Sequence, residues 1–94
     1  MSVSIIRVAD GGTAIPNPGT TPARSLRIVG ESTVADQYIK ITDGVGGPVL
    51  VISKEPVNGS FSLDVSNLKA MTYHFVASTR GDTHHSAPWV VTVT

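Results

Sequence analysis

Short alternations of apolar and polar residues recur from residue 25 to residue 93, and each is cut off by turn-forming residues before a helical period can establish itself. The runs are Ser25-Leu26-Arg27-Ile28, Ile39-Lys40-Ile41-Thr42, Ser60-Phe61-Ser62-Leu63-Asp64-Val65, Tyr73-His74-Phe75 and Trp89-Val90-Val91-Thr92-Val93. A period of two places alternate side chains on opposite faces of a strand, so each run reads as a half-buried strand. Clusters of Gly, Pro, Asn and Asp separate them, and several short strands so punctuated are the pattern of an all-β sandwich.

Ninety-four residues make one domain, in which the strands share a single core. Seven basic and seven acidic residues leave a formal net charge of zero, without the electropositive footprint that nucleic acid or anionic lipid requires. Cysteine is absent, which removes disulfides, thiolate metal sites and cysteine nucleophiles together. No run is long and apolar enough for a membrane span. The five aromatic residues, Tyr38, Phe61, Tyr73, Phe75 and Trp89, leave most of the packing to small and β-branched side chains.

Along the chain, residues 1–24 read as a terminal strand and an irregular edge, and residues 25–94 as the regular sandwich. The first strand, residues 2–8, has apolar Val3, Ile5, Ile6 and Val8 on both parities. Between Gly11 and Ala23, Pro16, Pro18 and Pro22 remove donors that a central strand needs, so this stretch is expected to be a loop or edge. Residues 31–37 are expected to connect two strands, and residues 38–43 to form the next with Ile39 and Ile41 inward. Asp43-Gly44-Val45-Gly46-Gly47-Pro48 is a glycine-rich turn. Asn58-Gly59 predicts a tight hairpin turn between strands at residues 49–53 and 60–65, since both residues tolerate positive φ. Residues 66–70 are expected to form a single helical turn carrying Leu68 over the end of the core. Trp89 is expected to be buried between the sheets near Phe61 and Tyr73 or Phe75. The count is about seven strands. About a dozen large inward side chains, at roughly 1.5–3 kcal/mol each before chain entropy is subtracted, are enough to hold such a domain.

From residue 25 onward the order of features resembles the bacterial Ig-like repeat of large surface proteins and adhesins. The matching pieces are Leu26-Arg27-Ile28-Val29-Gly30, then Ile39-Lys40-Ile41-Thr42-Asp43-Gly44, then Asn58-Gly59-Ser60-Phe61, Leu68, the strand from Tyr73 to Ala77, and Ser86-Ala87-Pro88-Trp89 followed by Val91 and Val93. The cysteine pair and mid-chain tryptophan of antibody-type domains are missing. The resemblance implies an Ig-like antiparallel β-sandwich of Greek-key type, and a non-enzymatic structural or spacer module of a larger bacterial secreted or cell-surface protein. The implied setting is extracellular, and the partners are neighbouring domains of the same parent chain, with a host-surface protein or carbohydrate as further possibilities. The alternative is a carbohydrate- or protein-binding module using loops at one end of the sandwich. The domain is expected to be monomeric, without nucleic acid, membrane span or cofactor.

Residues able to carry chemistry are few. Asp82, His84 and His85, with His74 on the preceding strand, are the histidine-rich cluster, but adjacent histidines in an extended segment point to opposite sides. Asp43 and Asp82 are the oxygen donors nearest to a calcium pattern, without a D-x-D-x-D run around either. No catalytic or metal site is therefore expected, and Asp43, Asp82 and His84 are the residues that come closest to one. Ser86 beside His85 lacks the elbow motif of a nucleophilic serine. Asp64 is expected on the solvent face. Arg80-Gly81-Asp82 matches the tripeptide of some integrin-binding loops, and Gly-Asp is also ordinary turn chemistry. Tyr38 is the one aromatic expected outside, too few for a sugar-binding platform.

Overall fold

The alternating runs are strands throughout, and no helix occurs among the described residues. The computed structural model describes residues 2–79, 81 and 84–94. Nine strands occur among them: β1 Val3–Asp10, β2 Thr13–Ile15, β3 Gly19–Thr21, β4 Leu26–Gln37, β5 Ile39–Asp43, β6 Val49–Ile52, β7 Val57–Val65, β8 Thr72–Thr79 and β9 Trp89–Val93. They form a four-stranded sheet in the order β2-β1-β4-β7 and a five-stranded sheet in the order β3-β9-β8-β5-β6. All pairings are antiparallel except β3 with β9. The inward rows, among them Val8, Leu26, Ile28, Phe61 and Val65 from one sheet and Ile39, Ile41, Phe75, Ala77, Val91 and Val93 from the other, meet in one apolar core. Tyr73 stacks on Phe75 from the same face of β8, with ring centroids 5.6 Å apart.

The two strands beyond the expected seven come from the proline-rich stretch. Pro16, Pro18 and Pro22 flank β2 and β3 instead of interrupting them, and each three-residue strand sits at a sheet edge, where only one side needs partners. β1 is accordingly not an edge, since it pairs with β2 on one side and β4 on the other. Its apolar residues on both parities follow from a bulge between Ile5 and Arg7. The extra residue leaves Ile6 half exposed and returns Val8 to the core.

Three further expectations are corrected. Residues 31–37 continue β4, with an irregularity between Ser32 and Gln37 where the Ser32 hydroxyl accepts from Val34 N–H and donates to its carbonyl. Asn58 and Gly59 lie within β7 and not in a hairpin turn, because β6 and β7 belong to different sheets. The conformational tolerance of this pair is still used. Gly59 has φ +93°, where β7 follows the irregular part of β4, and the Asn58 amide exchanges hydrogen bonds of 2.9 and 3.1 Å with the carboxylate and N–H of Asp36. Residues 66–70 form no helical turn, yet Leu68 closes the core as expected, held by its N–H to the Arg24 carbonyl. The glycine-rich turn between β5 and β6 forms as read, with Gly44 and Gly46 at positive φ.

Trp89 is half-buried, short of full enclosure. It packs against the core opposite Phe75 of β8, but the β3 pairing begins only two residues later, at Val91, which leaves its other flank less covered. The Asn17 side chain pins this corner, donating to the Pro88 carbonyl and accepting from Val90 N–H.

Candidate functional site

One concave feature among the described residues follows from the topology. β6 ends one sheet and β7 ends the other, both on the same side of the sandwich, and the 53–56 connection crosses between them at one end. The space between these two edges is a groove of about 670 Å³. Val51, Phe61 and Leu63 supply apolar walls, and Lys54, Glu55 and Asp64 lie along its rim. Ser53 is the structural hinge of the groove. Its buried hydroxyl accepts from Ile39 N–H at 3.1 Å and donates to the Glu55 carbonyl at 2.9 Å, satisfying backbone groups that the crossing takes out of the ladder. An open-sided groove bounded by two strand edges suits an extended chain better than it suits covalent chemistry.

Of the residues nearest to a metal set, Asp43 and His84 are not brought together. Asp43 ends β5, where its carboxylate accepts from His74 N–H at 2.9 Å and its own N–H donates to the Pro48 carbonyl. Its task is to tie the glycine-rich turn to the start of β8. His84 lies at the other end of β8, donating from its N–H to the Thr79 hydroxyl, while Thr79 N–H donates to the His84 carbonyl. Asp43 pairs with Phe75 and Ile39 with Thr79, so four residues of strand, about 13 Å, separate the two places. His74 stands with Asp43 and His85, bridged to Ser78, stands with His84. Asp82 lies outside the described residues, as do Arg80 and Asp82 of the Arg80-Gly81-Asp82 tripeptide. Among the described residues no group of three or more His, Asp or Glu side chains converges.

Ser86 is buried, and its hydroxyl accepts from Ala77 N–H and donates to the Ala87 carbonyl. It closes backbone hydrogen bonds beside β8. Asp64 does project into solvent, paired with Arg27 directly across the β4–β7 ladder at 3.0 Å. The hydrogen bond that Arg27 donates to the Asp64 carboxylate, followed by the charge of Asp64, raises the Arg27 pKa above its ordinary value. Tyr38 is half-buried at the β4–β5 junction. Sequence reasoning did not find the groove, nor the side-chain clamps of Asn17, Ser53 and Ser86. Each depends on residues distant in sequence or on which strands end the sheets, and nothing in the local pattern marks them.

No protein-family model matches the chain, and neither a curated protein nor a solved structure matches it.

Proposed function

We propose that the chain is an Ig-like sandwich acting as a non-enzymatic spacer module of a larger bacterial secreted or cell-surface protein. Support for the Ig-like reading is topological. β1-β4-β7 stand in the order A-B-E and β9-β8-β5 in the order G-F-C of such sandwiches, with β6 added beside β5. Tyr73, at the start of the F-equivalent strand, accepts from Lys69 N–H at 2.9 Å, the backward tyrosine hydrogen bond that marks this corner in Ig-type folds.

The spacer role rests on where β1 begins and where β9 ends. Val3 pairs with Ser32, at the end of the sandwich that holds the 53–56 crossing. Val93 donates to the Met71 carbonyl, at the opposite end with the glycine-rich turn and the 66–71 connection. Tension applied through these strands runs along a body 35 Å in its longest dimension and loads the β1–β4 and β8–β9 ladders in shear, so their hydrogen bonds must fail together. The alternative, a carbohydrate- or protein-binding module, would draw on exposed aromatic rings. Phe61, Tyr73 and Phe75 are buried and Tyr38 and Trp89 half-buried, which favours the spacer over a carbohydrate-binding module, while the groove between β6 and β7 is the concave feature that a protein-binding module would use.

Pulling a tandem polyprotein of this domain by atomic-force microscopy tests the role. All-at-once unfolding events are expected, each releasing about 290 Å of contour, the extended length of 94 residues less the folded 35 Å. Gradual low-force peeling of strands would refute it.

A further inference from the structure

Of the four strands that end the two sheets, three are blunted against pairing with another chain. β2 is three residues long and runs into Pro16, β3 is three residues long between Pro18 and Pro22, and β6 is four residues long between Pro48 and Lys54. Short length, proline and lysine are the usual means of keeping a sheet edge from recruiting a strand. β7 lacks these three, and of the other edge defences it carries only the charge of Asp64, which is paired with Arg27, and the left-handed Gly59 near its start. Its nine residues, Val57-Asn58-Gly59-Ser60-Phe61-Ser62-Leu63-Asp64-Val65, contain neither proline nor lysine, and among the described residues only β4 pairs with it. Beyond the left-handed Gly59, residues 60–65 pair with β4 in continuous register and alternate between solvent and core faces.

We propose that β7 pairs antiparallel with β7 of a second copy of this chain, about a two-fold axis through Ser62. A two-fold contact must be self-complementary, and this register is. Ser62 faces Ser62 of the other copy, each Asp64 carboxylate faces a Ser60 hydroxyl able to donate to it, and on the inner face each half-buried Leu63 lies against Phe61. Asp64 is the only charged residue in β7, so no like charges oppose in this register, whereas centring the pair on Asp64 would set two carboxylates together. The pairing unites the two four-stranded sheets and covers the apolar wall of the groove formed by Val51, Phe61 and Leu63.

The area involved sets the strength. Centred on Ser62, residues 59–65 of the two copies oppose each other, and these seven residues, about 23 Å of strand at a width of about 10 Å, bury about 230 Å² per copy, or about 460 Å² in all. That is below the roughly 1,200 Å² of stable specific complexes. The isolated domain is then a monomer when dilute, and the contact operates where copies are concentrated, as by tethering. The argument stands on the edge of β7 alone and is independent of the spacer reading.

Sedimentation equilibrium from micromolar to millimolar concentration tests the proposal, with circular dichroism confirming that each variant is folded. The weight-average mass is expected to rise from 9.8 kDa toward twice that value. Ser62→Lys, which sets two cations across the axis, is expected to hold the protein at monomer mass, while Thr20→Lys on the outer edge of β3 leaves the association intact. A monomer at every concentration overturns the proposal and reserves the edge for a strand from a different protein. Association that survives Ser62→Lys, or that Thr20→Lys suppresses equally, also overturns it.

Discussion

Gly30→Ala adds one methyl group at a position where two obstacles of different stiffness meet it. Gly30 is buried in β4, directly across from Phe61 of β7 and Ile5 of β1. A Cβ built there overlaps the Ser4 carbonyl oxygen and the Phe61 ring at Cζ, and comes within 2.8 Å of Cε2. The ring can tilt, at about 0.5–1.5 kcal/mol for leaving its rotamer well. The carbonyl belongs to the β1 backbone, held by its ladder, and displacing it is overpacking of the kind that costs about 1–3 kcal/mol. Against this, alanine restricts the unfolded chain and returns about 0.4–1 kcal/mol. The net expectation is a loss of about 2 kcal/mol, which for a domain of this size lowers the melting midpoint by about 8–16 °C. Gly12→Ala is the matched control, because its Cβ meets nothing within 4 Å and its φ is not in the left-handed region, so only the gain of about 0.4–1 kcal/mol remains. Urea unfolding followed through the fluorescence of Trp89, the single tryptophan, measures both. If Gly30→Ala were as stable as Gly12→Ala, the close approach of β1, β4 and Phe61 described above would be refuted.

Ser53→Ala is expected to destabilise by about 1–3 kcal/mol, because it strands the N–H of fully buried Ile39 without its acceptor; a urea-midpoint shift within experimental error would contradict the hinge role. Excess chelator is expected to leave the melting midpoint unchanged, since Asp43 and His84 stand at opposite ends of β8. A midpoint that climbed with calcium concentration, as linkage demands of a bound ligand, would overturn that assignment.

Much of the fold was legible in the residues themselves. Period-two patterning in β5, β7, β8 and β9 marked the inward rows of Ile39 and Ile41, of Phe61 and Val65, of Tyr73 and Phe75, and of Val91 and Val93, because a strand's side-chain alternation is a local geometric fact. The glycine-rich turn was legible for the same reason, since left-handed φ at Gly44 and Gly46 is a property of single residues. Asn58-Gly59 shows the limit of that logic. The pair does adopt a left-handed φ at Gly59, but whether such a residue turns a hairpin or lets a strand follow a bulged neighbour depends on which sheet the next strand joins. The same dependence hid β2 and β3, whose three-residue strands exist only because β1 and β9 offer edges to them.

Local sequence therefore determined strand, face and turn, while the tertiary structure alone decided which strands became edges, that β7 is the least protected one, and that Asp43 and His84 are kept apart. Those outcomes are set by pairings between residues distant along the chain, and the side-chain period of a strand is the same whichever neighbour it finds.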